Sequence, residues 1–212
     1  MFAIVADRPG AAWLDGGRAA AVGWSILAWD PDEVVTDGRD WPAVGRAMTR
    51  SAGPGGPAPF GGGVLGYVGF GAGRHVDAVP AEAPTPEPEV ALGRYPGGLC
   101  FRHADRTWHA AGTPAFRRAA DAILAAAGTL PEPPPPTGVA TTVDPAGWQD
   151  GVRRVLGWLH DGDCYQVNLS RPVWVTGAGP AFDAYRRLRR AEAAYGAFLR
   201  VSDRIAVVSN SP

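Results

Sequence analysis

The strongest constraint on the fold is a helix signal that runs directly into a strand signal, within residues 144–170. Asp144 precedes a proline, a pair typical of a helix start because the carboxylate caps free N–H groups. Apolar residues then recur at helical spacing, which predicts a core-facing helix, and Gly162 is a typical helix end. The following residues predict a strand with the amides of Gln166 and Asn168 on one face. Because buried amides need partners, this stretch is either a structural clamp or part of a ligand pocket.

A proline-rich segment is the clearest internal boundary. Pro133 to Pro136 are consecutive prolines, which favour a semi-rigid extended linker. We therefore predict an N-terminal domain at residues 1–128, a linker at 129–143 and an incomplete second domain at 144–212. Strand and helix signals occur on both sides of the linker, so the predicted class is α/β, of the α+β type. The chain stops just after a strand signal, and we expect the fold to be truncated on its C-terminal side.

Composition excludes several classes of protein. Of the 212 residues, 46% are hydrophobic and 19% are charged, which predicts a folded chain with a sizeable core. The formal net charge of −1 gives no electrostatic reason to expect nucleic acid or an anionic membrane as a partner. The sequence has no apolar run long enough for a membrane span, and its two cysteines lack metal-site spacing. We expect a soluble, cytoplasmic protein with two free thiols.

The residues alone offer little catalytic chemistry. All 20 basic residues are arginines, so a lysine nucleophile or Schiff base is excluded within this chain. The four histidines lack the spacing of metal ligands, and neither Ser25 nor Ser211 lies in a G-x-S-x-G elbow. Asp161 and Asp163 flank a glycine and either chelate a cation or simply solvate a helix end. These observations predict a scaffold with a small-molecule pocket.

A glycine-rich stretch at residues 61–66 matches G-x-G-x-x-G. A dinucleotide site needs a strand before this motif and a helix after it. Here a proline-rich loop precedes the motif and more glycines follow, so we predict a strand that packs closely against another backbone.

Gly162–Ser170 resembles the G-D-x-Y-Q-V-N-L motif of the chorismate-utilising enzymes, in the branch of aminodeoxychorismate synthase component I. Tyr165 and Asn168 favour that branch, because the anthranilate synthase relatives usually carry phenylalanine and valine there. Further resemblances follow the family's order along the chain, at Trp13–Gly16, Trp24–Leu27, Gly62–Arg74, Ala194–Arg200 and Ser209–Pro212. The resemblance therefore covers most of the chain.

This resemblance implies a large mixed-sheet sandwich and a reaction in which ammonia replaces the 4-hydroxyl of chorismate. It also implies magnesium as cofactor and a glutamine amidotransferase partner that supplies the ammonia. The family's reactive lysine, its acid/base glutamate and its magnesium-binding glutamates belong to motifs beyond Pro212. We therefore expect no catalytic and no metal-binding residue in this chain, and no activity from the chain alone. On this interpretation, Gly162–Ser170 is a core strand that supports a site elsewhere.

The family also binds tryptophan or a related effector between its N-terminal strands and a later strand. Carried over by position, this effector pocket corresponds to Gly16, Trp24, Ala194, Tyr195 and Gly196. The sequence departs from the family there, since Ala194 replaces a proline, Gly16 stands where serine is common, and the turn at Arg18–Gly23 is shorter. The indole of Trp24 would either line the pocket or fill the space that an effector occupies.

The leading interpretation is thus the N-terminal portion of such a component I, an enzyme of p-aminobenzoate and folate synthesis. Two alternatives stay open. One is a fragment of anthranilate synthase component I, and the other is a non-catalytic scaffold that docks a glutamine amidotransferase.

Overall fold

The structure, a computed structural model, describes residues 1–16, 23–49, 57–77, 86–191 and 193–211. Four helices occur in this part of the chain: α1 (Trp41–Thr49), α2 (Pro114–Ala125), α3 (Pro145–Asp161) and α4 (Ala181–Leu188). The strands are β1 (Ala12–Asp15), β2 (Trp24–Ala28), β3 (Glu33–Val35), β4 (Gly63–Val68), β5 (Val90–Tyr95), β6 (Gly97–Arg102), β7 (Thr107–Gly112), β8 (Gly138–Thr141), β9 (Val173–Thr176), β10 (Tyr195–Arg200) and β11 (Ala206–Ser211). The predicted mixture of helices and sheets is confirmed.

The largest sheet has six antiparallel strands in the order β11-β10-β1-β2-β6-β7. Its centre joins distant parts of the sequence, because β10 pairs with β1 through Ala12 opposite Leu199 and Asp15 opposite Gly196. The division into residues 1–128, 129–143 and 144–212 stays a prediction. The sheet nevertheless takes strands from both outer segments of that division.

The core lies on the face of this sheet that α2 and α4 cover. Phe2, Trp13, Phe182, Tyr185 and Phe198 form a cluster of touching rings, with Phe2 and Phe198 at 5.6 Å between centroids. Each such aromatic side chain buries a large apolar area, so the cluster is a main source of stability.

The apolar run at residues 2–6 predicts a first strand, but these residues form a short 3-10 helix at Phe2–Ile4 followed by turns. That prediction is wrong because Phe2 and Val5, three residues apart, both point into the core. A strand would place residues three apart on opposite faces.

The helix ends follow the local signals in the sequence. Thr113 accepts a hydrogen bond from the backbone N–H of Phe116 at the start of α2, and Asp144 does the same for Gly147 at the start of α3. Gly162 ends α3 with φ of +80°, which is the left-handed conformation that glycine adopts without strain.

The glycine-rich stretch forms β4 in a second sheet, ordered β3-β5-β4. A side chain at Gly66 would clash with the backbone carbonyl of Ala91 on β5. The prediction of a strand in close backbone contact is confirmed. The next element is a short 3-10 helix at Phe70–His75, whereas a dinucleotide site needs an α-helix directly after the motif.

The third sheet is the two-stranded hairpin β8-β9, and the helix α3 lies between its strands in sequence, within residues 138–176. No residue in this range is buried; Leu156 on α3 is 59% exposed and Trp174 on β9 is 51% exposed. The prediction that α3 presents a core-facing side is therefore wrong for this chain. Its apolar stripe is present, but no other described element covers it.

Gly162–Ser170 is likewise not a core strand. The stretch pairs with no strand in the described residues, Tyr165 is fully exposed, and the amides of Gln166 and Asn168 contact only each other at 3.5 Å. A strand requires a neighbouring backbone to complete its hydrogen-bond ladder, and side-chain alternation cannot supply one.

Candidate functional site

The five residues predicted for the effector pocket lie together. Gly16, Trp24, Ala194, Tyr195 and Gly196 all line one cavity of about 490 Å³ at the end of β1 and the starts of β2 and β10. The antiparallel pairing of β1 with both β2 and β10 brings them together. Most of the predicted shorter turn, residues 17–22, lies outside the described residues.

Two of the glycines that line this cavity, Gly16 and Gly196, have a structural reason. At Gly16 a Cβ would stand 2.5 Å from the backbone oxygen of Trp24, so only glycine allows this approach of the two chains. At Gly196 a Cβ would stand 2.9 Å from the hydroxyl oxygen of Tyr185. The missing side chain at Gly196 leaves room for that hydroxyl to reach the carboxylate of Asp15 at 3.1 Å.

The polar centre of the region is Asp15, which the sequence analysis did not single out. This residue is 4% exposed. Its carboxylate accepts hydrogen bonds from the hydroxyl of Ser25 at 2.8 Å, from Tyr185, and from Nε and Nη2 of Arg189. Burial would raise the pKa of Asp15, but the hydrogen bonds and charge of Arg189, helped by Ser25 and Tyr185, hold it below its ordinary value. The site therefore keeps a buried, ionised carboxylate.

His103 extends this network, since its Nε2 lies 2.8 Å from the Ser25 hydroxyl oxygen. Burial lowers the pKa of His103 despite the opposing charge of Asp15, which favours the neutral imidazole. The order is Asp15, Ser25, His103, with serine in the middle. A nucleophilic triad needs histidine between the other two, so this network orients groups and does not activate the serine.

Trp24 and Tyr195 are the two aromatic residues that line the cavity. The indole of Trp24 stacks edge-on against His109 at 5.4 Å and lies under the guanidinium of Arg102 at 5.7 Å. Tyr195 is 72% exposed. With Trp24 in this position the cavity still has about 490 Å³, a volume in the range of small-molecule sites.

Signals for the network existed in the sequence but were weak. Asp15 ends an apolar strand, where a buried carboxylate would demand a partner, yet its partners come from residues 25, 185 and 189. Spacing along a chain cannot reveal such a contact. Only the meeting of β1, β2 and α4 assembles it.

Other reactive residues are not brought together. Among the described residues, no group of three or more His, Cys, Asp and Glu side chains is placed to hold a metal ion. His75 pairs with Glu89 at 2.6 Å, and His160 lies exposed at the end of α3. Burial raises the pKa of the Cys100 thiol to about 11, so this thiol is unreactive at neutral pH. In the described parts of the chain, no helix combines the length and apolar character needed to cross a membrane.

Comparison with known proteins identifies the family. Residues 6–212 match the family described as chorismate binding enzyme. The chain is 34% identical over 163 residues to aminodeoxychorismate synthase component 1 of Klebsiella aerogenes, 33% over 171 residues to that of Salmonella typhimurium strain LT2, and 32% over 166 residues to that of Escherichia coli K12. Each match covers 73% of this chain and 35% of the relative, so the matched part is about a third of these relatives' length.

A solved structure agrees on the fold. The crystal structure of anthranilate synthase component I from Streptococcus pneumoniae TIGR4 superimposes with a TM-score of 0.64 at 20% identity, over 82% of this chain and 47% of that one. Since the family match spans nearly the whole chain, the chain belongs to the chorismate binding enzyme family.

Proposed function

We propose that this chain is the N-terminal part of an aminodeoxychorismate synthase component I. That enzyme exchanges the 4-hydroxyl of chorismate for the amino group of ammonia, with loss of water, and yields 4-amino-4-deoxychorismate for p-aminobenzoate and folate synthesis. The observation that carries the proposal is the 32–34% identity to three proteins of that name. The word component in those names supports a second subunit, which we propose is a glutamine amidotransferase that supplies the ammonia.

We further propose that the chain by itself is inactive. It contains no lysine, and its described residues form no carboxylate cluster suited to a divalent cation. We propose that residues outside this chain hold the magnesium of the full-length enzyme. The proposal includes a cytoplasmic location, with which the free thiols of Cys100 and Cys164 are compatible.

A steady-state assay tests both parts. The 212-residue chain is incubated with chorismate, ammonia and magnesium, and the products are separated by chromatography. We expect no turnover above the uncatalysed rate. A protein that extends this sequence to the full length of its relatives should give 4-amino-4-deoxychorismate under the same conditions. Formation of anthranilate in its place would support the anthranilate synthase alternative, and enzyme-like turnover by the chain alone would refute its proposed inactivity.

We propose a tryptophan-like amino acid as the ligand of the 490 Å³ cavity. Two features support this: the five residues carried over from the family line one cavity, and two of its lining residues, Trp24 and Tyr195, are aromatic.

Calorimetric titration with tryptophan should show saturable binding. Ala197→Leu fills the cavity and should abolish that binding, whereas Ala119→Leu on the exposed side of α2 should leave it unchanged. Equal affinities in the two variants would exclude this cavity.

A further inference from the structure

We propose that a second cavity, on the opposite face of the six-stranded sheet, binds a flat aromatic monocarboxylate. This inference is independent of the proposed function. The cavity has about 380 Å³ and lies between the sheet and α4. Trp13, Ser25 and Leu27 line it, whereas Leu14, Gly16 and Trp24 line the first cavity. Alternate residues of a strand point to opposite faces, so the two cavities are distinct.

The walls of the second cavity are aromatic. Trp13, Phe101, Trp108 and Phe182 line it, with Phe101 and Trp108 rings 4.7 Å apart and Trp13 and Phe182 rings 6.1 Å apart. Ring faces and edges attract another flat ring by offset or edge-on stacking. The volume is at the small end of ligand sites, which fits a molecule of one or two rings.

Three arginines stand at the rim of this apolar cavity, all from α4 and the short 3-10 turn that follows it: Arg186, Arg189 and Arg190. Two of them are held in place. Arg186 bonds Asp183 at 2.9 Å and the carbonyl oxygen of Pro131 at 2.5 Å, and Arg189 bonds Asp15. The guanidinium of Arg189 also stacks on the Trp13 ring at 4.9 Å. Pre-positioned N–H donors beside aromatic walls are the usual design of a carboxylate site.

Arg190 is the arginine best able to exchange its partner for a ligand. It pairs with Glu132 at 2.5 Å, and the two side chains are 56% and 73% exposed. An exposed ion pair contributes little to stability, so the guanidinium can turn to a ligand carboxylate at small cost. Each of the three arginines already faces one carboxylate, at Asp183, Asp15 or Glu132. The balance of charge therefore favours a ligand with no more than one negative charge.

The proline-rich segment closes one side of the cavity through Leu130 and Pro133. Arg186 and Arg187 of α4 donate to the carbonyl oxygens of Pro131 and Pro134, so the segment is fastened to α4 along its length. A fastened proline-rich wall keeps the cavity formed without a ligand, which lowers the entropic penalty of binding.

Isothermal titration calorimetry of the 212-residue chain with 2-naphthoate and its uncharged analogue 2-naphthamide tests the proposal. We expect 2-naphthoate to bind about tenfold more tightly, the ratio given by one charge-assisted hydrogen bond. Arg190→Gln should remove this preference, and Arg118→Gln, a matched charge loss on α2, should preserve it. Ala3→Leu fills the cavity from its N-terminal wall and should abolish binding of both ligands.

The outcomes are decisive in both directions. Absence of saturable binding to the unaltered chain overturns the proposal, as does an Arg190→Gln variant that behaves like Arg118→Gln. Loss of 2-naphthoate binding in Ala197→Leu, which fills the first cavity and leaves the second unaltered, would assign the ligand to the first cavity and overturn the second site. If a urea midpoint shows that Ala3→Leu does not fold, the arginine pair alone decides.

Discussion

Helices α2 and α3 have the same local sequence signals but lie in different environments. Both begin with a capping side chain followed by proline, and both carry an apolar stripe at helical spacing. In α2 that stripe is buried through Phe116, Ala120 and Ile123, which pack on the six-stranded sheet. In α3, with 17 residues against 12 in α2, no residue is buried. A capped, amphipathic sequence determines where a helix forms, and burial requires a second surface.

The contrast extends to the strands beside each helix. β7, next to α2, pairs with β6 inside a six-stranded sheet, whereas β9 pairs only with β8 among the described strands. A two-stranded hairpin is marginally stable in water, and more strands or a packed helix are normally needed. The residues around α3 therefore have the apolar pattern of core residues, but they remain exposed in this chain. The following predictions test this difference between the two regions.

The largest effect should come from removal of a core ring. Phe198→Ala, at a residue 1% exposed within the aromatic cluster, should lower the free energy of unfolding by about 3–5 kcal/mol. Leu156→Ala on α3, where the side chain is 59% exposed, should change it by less than about 1 kcal/mol. Urea unfolding followed by circular dichroism measures both. A large effect at Leu156 would contradict the view that α3 lacks a packed face.

The next largest effect should come from the buried carboxylate. Asp15→Asn weakens the interactions with Arg189, Ser25 and Tyr185, and should lower the free energy of unfolding by about 1–3 kcal/mol. Asp150→Asn on α3 removes an exposed ion pair with Arg153 and should leave stability nearly unchanged. Parallel urea titrations compare the two variants. Equal midpoints would show that the Asp15 network adds no stability.

Removal of a helix cap should change the free energy of unfolding differently in the two regions. Thr113→Ala at α2 should lower the global free energy of unfolding by about 1 kcal/mol. Asp144→Ala at α3 should remove a similar amount from the helix itself and leave the global transition unchanged, because α3 contributes no buried residue. Amide hydrogen exchange of the α3 residues measures the second effect. A shifted global midpoint in Asp144→Ala would show that α3 unfolds together with the sheet.

The smallest effect should be a pH dependence from His103. Because burial lowers the pKa of His103 in the folded chain, the unfolded chain takes up the proton first as pH falls through about 6.5. The stability that neutral His103 contributes above that pH is therefore lost as the pH falls toward the pKa of His103 in the folded chain. Asp15, whose folded pKa is also lowered, adds a further loss below about pH 4. His103→Gln should flatten the dependence of the urea midpoint between neutral pH and pH 5, and an unchanged slope would refute this assignment.

Local signals in the sequence were reliable where a single stretch of chain decides the outcome. The cap at Asp144, the glycine end at Gly162 and the close approach at Gly66 all form as expected. The five residues predicted for an effector pocket were chosen by resemblance, and the structure places all five around one cavity. The binding of an effector there stays a prediction. The Asp15 network and the aromatic cavity beneath α4 were not foreseen, because their members lie far apart in sequence; Asp15 and Arg189, for example, are 174 residues apart.

The sequence by itself therefore determined where α3 begins and ends, the close backbone approach at Gly66, the family and the absence of a lysine nucleophile, since each depends on residue identity or short spacing. Tertiary structure alone decided which apolar faces are buried and which polar groups meet. Gly162–Ser170 illustrates the reason. Its alternation of apolar and polar residues is genuine, but a strand needs a neighbouring backbone, and the structure supplies none to it among the described residues. Asp15 illustrates the converse, because β2 and α4 surround it with the donors that keep it ionised.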